Sequence, residues 1–269
     1  MKMLPLILGG VLTFAGAARA QNPSPPPPPL FTKTDMLWGA AFVVGSVALS
    51  TADVRIAAEW NDPAHRNADR DRLARNFAKI QEGTLFFGNM ALWGIARLAR
   101  MPAMADVTFH AAEAVVVGSL ASQVIRGPLG RSRPHITNYT DQYDFKPFKG
   151  FRDFDHRAFP SIHTASAFAV ATVYTLETQR RARGATWIVA PIAYTLAAGP
   201  AISRMYTGQH WASDILGGAI MGTFAGMKMV RYNHDVRPEN RVNRFFLGAR
   251  NVQLGIGSGS FSAAYGARF

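Results

Sequence analysis

From Asp35 to Arg231 the chain alternates long, Ala-rich apolar stretches with short polar ones, and apolar residues recur at the three- and four-residue spacing of helices. The pattern predicts helices over roughly 35–60, 68–100, 105–126, 161–182, 184–202 and 210–232. Strand-like alternation is confined to Asn251–Phe269, where Gly and Ser separate larger residues. This predicts a two-stranded hairpin turning near 257–259. The expected fold class is therefore all-α, a six-helix bundle with a small C-terminal β-hairpin.

Met36–Ala52 and Ala185–Ala198 carry no charge, whereas the predicted third helix holds His110 and Glu113 and the second is charged along its first half. Only some of these helices suit a lipid environment. In the last helix Gly218, Gly222 and Gly226 fall on one face. That spacing permits close backbone approach in a membrane or in a soluble bundle alike.

The first 20 residues have Lys2, an apolar run from Leu4 to Ala15, and the small-x-small site Ala18-Arg19-Ala20, the pattern of a cleaved secretory signal peptide. Residues 21–34 follow, with Pro23 and then Pro25 to Pro29 as a stiff spacer. The expected organisation is a signal peptide (1–20), spacer (21–34), helical domain (35–236) and C-terminal tail (237–269). Export to the periplasm, or to the inner membrane with a periplasm-facing site, follows from that reading.

Composition narrows the chemistry. The 269 residues contain no cysteine, which excludes disulfides, thiolate nucleophiles and cysteine-ligated metals. Twenty-nine Lys and Arg against 17 Asp and Glu give +12, favouring an anionic partner without saying which. A mean hydropathy of +0.02 leaves membrane association open. A nucleic-acid binder would pair its cations with aromatic platforms or a recognition helix, and the sequence displays neither.

Three segments hold the candidate chemistry. The predicted third helix ends in the basic cluster Arg126, Arg131 and Arg133, broken by Gly127, Pro128 and Gly130 and followed by a long connection from Pro134 to Phe159. Pro160-Ser161-Ile162-His163-Thr164 opens a helix. Ser203-Arg204 is followed after five residues by His210, and after three more by Asp214. Singly, these are a solvated helix end, an ordinary helix start and a surface pair. Together they supply forked cations, a helix N-terminus with free N–H groups, two histidines and a carboxylate, the parts for phosphoryl transfer through histidine.

In order and spacing the three segments resemble the tripartite signature of the type 2 phosphatidic acid phosphatase superfamily, which includes bacterial class A acid phosphatases and vanadium-dependent haloperoxidases. The third motif is complete. Arg126 stands where the family usually has lysine, which keeps the charge but substitutes a planar fork. Ile162 stands where it usually has glycine, which keeps the N–H but adds a β-branched side chain beside the anion.

The resemblance implies a metal-independent phosphatase without cofactor. His210 would be the nucleophile, Asp214 would hold its other ring nitrogen, and His163 would be the acid and then the base. Arg126, Arg133, Arg204, Ser161 and the Ile162 amide would bind the phosphate. The implied partner is a phosphorylated lipid or a small phosphoester, with the protein associated with a membrane. His65, His110, His135, His156 and His234 fall outside the motifs and read as surface or core residues, with His135 and His156 as pocket neighbours. A degenerate, non-catalytic anion-binding envelope protein and a vanadate-dependent haloperoxidase are the competing functions. Arg180, Arg181 and Arg183, at the far end of the predicted helices, fit a cytoplasmic turn.

Overall fold

The computed structural model describes residues 26–248 in full and, beyond them, the backbone of two strands. The expected signal peptide, the first part of the expected spacer and residues 258–259 of the turn expected near 257–259 lie outside the described residues. Nine α-helices are present among those described: α1 Asp35–Ser50, α2 Asp53–Asn61, α3 Ala68–Ala78, α4 Glu82–Leu98, α5 Pro102–Leu129, α6 Ile162–Arg181, α7 Thr186–Tyr206, α8 Ala212–Arg231 and α9 Arg241–Phe246. Strands β1 (Asn251–Gly257) and β2 (Ser260–Gly266) pair antiparallel, Asn251 opposite Gly266.

The expected count of six helices is corrected to nine, for local and tertiary reasons. The segment 35–60 is two helices bent by 61°. At the bend the Ser50 and Thr51 hydroxyls bond back to the Val47 and Ala48 carbonyls, and Asp53 leaves the α1 axis to reach Arg131 across the bundle. The segment 68–100 divides at Lys79-Ile80-Gln81, and α9 is a short addition after α8.

The bundle is built around α5, α6 and α8, whose interior is made of small residues. Ala111, Ala114, Ala169, Val173 and Val230 form its main apolar cluster. The α6–α8 seam depends on missing side chains: a Cβ on Gly222 would lie 2.1 Å from the Ala165 carbonyl oxygen. Backbones therefore touch there as they do at small-residue helix interfaces.

Large apolar side chains face outward instead, in stripes such as Val117, Leu120 and Val124 on α5 and Ile188, Ile192 and Leu196 on α7. By length and composition two helical stretches, Pro102–Leu129 and Arg183–Tyr206, could cross a membrane, and α1 with α2 could form a third, broken span. Small and polar inside with large apolar outside is the arrangement expected of helices packed in lipid.

α6 and α8 both begin at the end of the bundle where α5 and α7 finish. This end collects the three motifs of the sequence. It is closed by the connection from Gly130 to Pro160, which starts with a left-handed turn: Gly130 has φ +62°, and a Cβ on it would sit 1.7 Å from the Lys146 carbonyl oxygen. Only glycine fits that crossing.

Candidate functional site

Each of the eight residues expected from the sequence lies at this end of the bundle, and each is set there by an element boundary. Arg126 is in the last turn of α5, and Arg133 follows the Gly130 turn. Ser161 is the N-cap of α6, its hydroxyl oxygen accepting from the Thr164 hydroxyl at 3.0 Å and facing the Thr164 amide at 3.4 Å. Ile162 and His163 form the first turn of α6, and Arg204 lies near the end of α7. His210 sits in the tight connection to α8, its backbone amide donating to the Arg204 carbonyl, and Asp214 is in the first turn of α8. The Ser161 amide donates to the Asp214 carbonyl oxygen at 3.0 Å, so the beginnings of α6 and α8 are tied directly together.

The two histidine rings are 6.4 Å apart between centroids. His210 is almost fully buried, and its Nδ1 lies 3.4 Å from Asp214 Oδ2, within ion-pair reach but longer than a good N–H···O bond. Burial, then the charges of Arg133, Arg126 and Arg204, push the His210 imidazole well below its usual pKa. It is therefore a neutral base with a lone pair available.

Around the rings, Arg126 Nε, Arg133 Nε and Arg204 Nε are buried and unpartnered, as are His163 Nδ1 and His210 Nδ1. The outer guanidinium nitrogens are anchored elsewhere: Arg126 on the Arg157 carbonyl at 2.7 Å, Arg133 on Gln209 Oε1, and Arg204 on the Ala78 carbonyl at 3.3 Å. Three cations are thus held in place with donors to spare, a costly arrangement unless an anion completes it.

Residues the sequence reading did not assign complete the site. Arg131, noticed only as part of a basic cluster, donates to Asp214 Oδ1 at 2.6 Å, Asp53 Oδ2 at 2.8 Å and Ser213 Oγ at 2.8 Å. Burial works against its charge, but the two carboxylates outweigh that and hold its pKa above the ordinary guanidinium value. Asp214 Oδ2 also accepts from the Trp211 amide at 2.8 Å, and the fully buried Trp211 donates Nε1 to the Ser132 carbonyl. Asp53 Oδ1 accepts from the Ser213 amide. The carboxylate behind His210 is fixed from several sides.

Glu82, at the start of α4, places Oε2 3.6 Å from His163 Nε2. Only the basic cluster gave a signal for Arg131. Asp53 and Glu82 lie far off in sequence, and nothing local marks them. Of the remaining histidines, His135 bonds the Gly208 carbonyl and His156 bonds Asp153, bracing the closing connection.

The chain is similar to known proteins in both sequence and fold. It is 44% identical over 69 residues to a lipid A 1-phosphatase of Porphyromonas gingivalis, covering 26% of this chain and 15% of that protein. It is 29% identical over 143 residues to a lipid A 1-phosphatase of Rhizobium etli, covering 51% of this chain and 57% of that protein. The chain thus matches little more than half the length of one curated relative and a smaller part of the other. Its fold is similar to the crystal structure of a transmembrane PAP2-type phosphatidylglycerolphosphate phosphatase from Bacillus subtilis, with TM-score 0.58 at 17% identity over 78% of this chain and 99% of that one. The sequence profile of the PAP2 superfamily matches residues 108–238, a stretch that contains all three motifs. Over that stretch, just under half of its length, the chain resembles the PAP2 superfamily.

Proposed function

We propose that the protein is a membrane lipid phosphatase that works through a phosphohistidine, with its site on the periplasmic side. The observation that carries this reading is the convergence of three guanidiniums, each with a buried unpartnered Nε, on a buried neutral histidine backed by a fixed aspartate.

In this reading Arg126, Arg133 and Arg204, the Ser161 hydroxyl and the Ile162 amide receive the phosphate oxygens and neutralise charge as it develops. The His210 lone pair attacks phosphorus, and Asp214 stabilises the positive charge the ring acquires. His163 protonates the leaving oxygen, then takes a proton from the water that releases phosphate. Burial and the neighbouring Arg204 lower the His163 pKa, and the Glu82 carboxylate at 3.6 Å is the group placed to offset them when the ring carries a proton.

The substrate class is a lipid phosphate. The curated relatives are lipid A 1-phosphatases, apolar stripes encircle the bundle, and a cleft of about 520 Å³ lined by Trp60, Leu73, Phe77, Ile202 and Tyr206 adjoins the Ser203-Arg204 motif. The arginines at 180, 181 and 183 lie at the opposite end, where a cytoplasmic turn belongs.

The test is phosphate release from radiolabelled lipid phosphates in mixed micelles, with quenching in alkaline detergent to trap labelled protein. Wild type should release phosphate and carry acid-labile label, and folded His210→Ala should do neither. A folded His210→Ala with near-normal turnover would refute the nucleophile. No release by wild type from any lipid or soluble phosphoester would instead favour an anion-binding protein.

A further inference from the structure

At the end of the bundle remote from the phosphate site, three side chains from distant parts of the sequence meet. Glu177 of α6, fully buried, accepts from His110 Nδ1 of α5 at 2.6 Å and lies 2.8 and 3.0 Å from His234 Nε2 in the turn after α8. The His110 and His234 rings stand edge to face, 5.3 Å apart. One ligand atom from each residue can be chosen so that all lie within 4.8 Å of one another. With 16 residues between His110 and Arg126 on one helix, the cluster is about 24 Å from the phosphate site.

The charges around it do not balance. Glu177, Asp106, Glu113 and Glu239 face this region with two guanidiniums, Arg244 and Arg181, the latter bonding both Glu177 and Asp106. Counted without the two histidines, the group is two positive charges short, a deficit of the size a divalent cation fills. His110 is also bonded on one side only, since its buried Nε2 has no partner. A histidine kept purely as a hydrogen-bonding core residue would use both nitrogens. A cleft of about 290 Å³ lined by His110, His234, Asp106, Asn233 and Glu239 leads to the cluster from outside.

We infer that His110, Glu177 and His234 bind a borderline divalent cation of the Zn²⁺ class. Two imidazoles and one carboxylate suit such an ion and leave its fourth position for water from the cleft. The site is a staple, since it joins α5, α6 and the segment following α8, none of which is adjacent in sequence at these points. It has no part in the phosphatase chemistry at the other end.

Tag-free full-length protein in detergent is stripped with a chelator, dialysed and titrated with Zn²⁺ by calorimetry, and with Co²⁺ by visible absorption. Wild type should take up one equivalent, give the intense absorption of low-symmetry Co²⁺, and melt at a higher temperature with Zn²⁺ than with EDTA. Its initial rate on a phosphate substrate, measured well below melting, should be the same in both. His234→Ala, at a half-exposed position, should lose at least about 10-fold in affinity, because losing a direct ligand costs more than losing an outer-sphere partner. Glu177→Gln should do likewise, while His210→Ala should bind as wild type does. Absence of stoichiometric uptake, or equal uptake by His234→Ala, would overturn the site. Loss of binding in His210→Ala would move the metal to the phosphate pocket, and overturn it equally.

Discussion

Replacing Gly222 by valine tests whether the closeness of α6 and α8 sets both stability and catalysis. A Cβ there would lie 2.1 Å from the Ala165 oxygen, 2.8 Å from its carbonyl carbon and 2.9 Å from its Cα. Since Cβ contacts below 3.0 Å essentially never occur, the helices must part by about 0.9 Å. The obstructing atoms are backbone and cannot rotate aside. Helix propensity works the other way but weakly, valine being only a few tenths of a kcal/mol better than glycine. Overpacking costs about 1–3 kcal/mol, so it wins and a net loss of about 1–3 kcal/mol is expected.

The same displacement opens the gap between His163, two residues before Ala165, and His210 at the entrance to α8. A misplacement of about 1 Å can lower turnover on the order of 100-fold. Far-UV circular dichroism during thermal or denaturant unfolding in micelles reads the first effect, and kcat per folded molecule reads the second. Gly94→Ala in α4 is the control: nothing lies within 4 Å of its added Cβ, so propensity acts alone and stability should rise by up to about 1 kcal/mol. If Gly222→Val unfolds and turns over like wild type, the α6–α8 contact is not what positions the histidines.

Other consequences are as concrete. Arg131→Met leaves Asp53 and Asp214, both fully buried, without their shared guanidinium, and should cost about 3–5 kcal/mol; near-wild-type unfolding would show the pair is not a structural anchor. Ile162 is 3% exposed, so Ile162→Gly should lose at least about 3 kcal/mol from cavity formation plus glycine entropy, while turnover per folded molecule stays similar because the backbone N–H remains; a large fall in kcat would give the side chain a direct place at the substrate. The depressed His210 pKa makes the unfolded chain bind the extra proton first. Stability is therefore expected to fall as pH drops below about 6.5, by up to 1.4 kcal/mol per pH unit for this group, and His210→Gln should flatten that dependence; an unchanged slope would mean His210 is protonated in the folded protein.

Helix formation and the candidate residues of the motifs were legible in the sequence because both are written in local spacing. The apolar period located the helical stretches at α5, α6, α7 and α8 to within a few residues, and the three motifs held all eight residues that meet at the proposed phosphate site. Spacing could mark them because each stands at a helix end, where local sequence sets the cap and the turn. Whether helical segments are continuous is another matter. The break at Thr51-Ala52 puts Asp53 against Arg131 from 78 residues away, and no periodicity in 35–60 announces that pairing.

The supports of the site were decided in the same way. Arg131 reads as one more basic residue until the fold places two buried carboxylates around it, and Glu82 reads as an N-terminal helix charge until α4 packs beside the first turn of α6. His110 and His234 read as ordinary surface or core histidines, being separated by 124 positions and belonging to no motif. Only the packing of α5, α6 and the turn after α8 brings them onto the same glutamate. Capping, turns and helical period arise from residues within a few positions of one another, so the sequence displays them. Burial and the compensation of buried charge depend on what the rest of the chain brings alongside, so only the tertiary structure decides them.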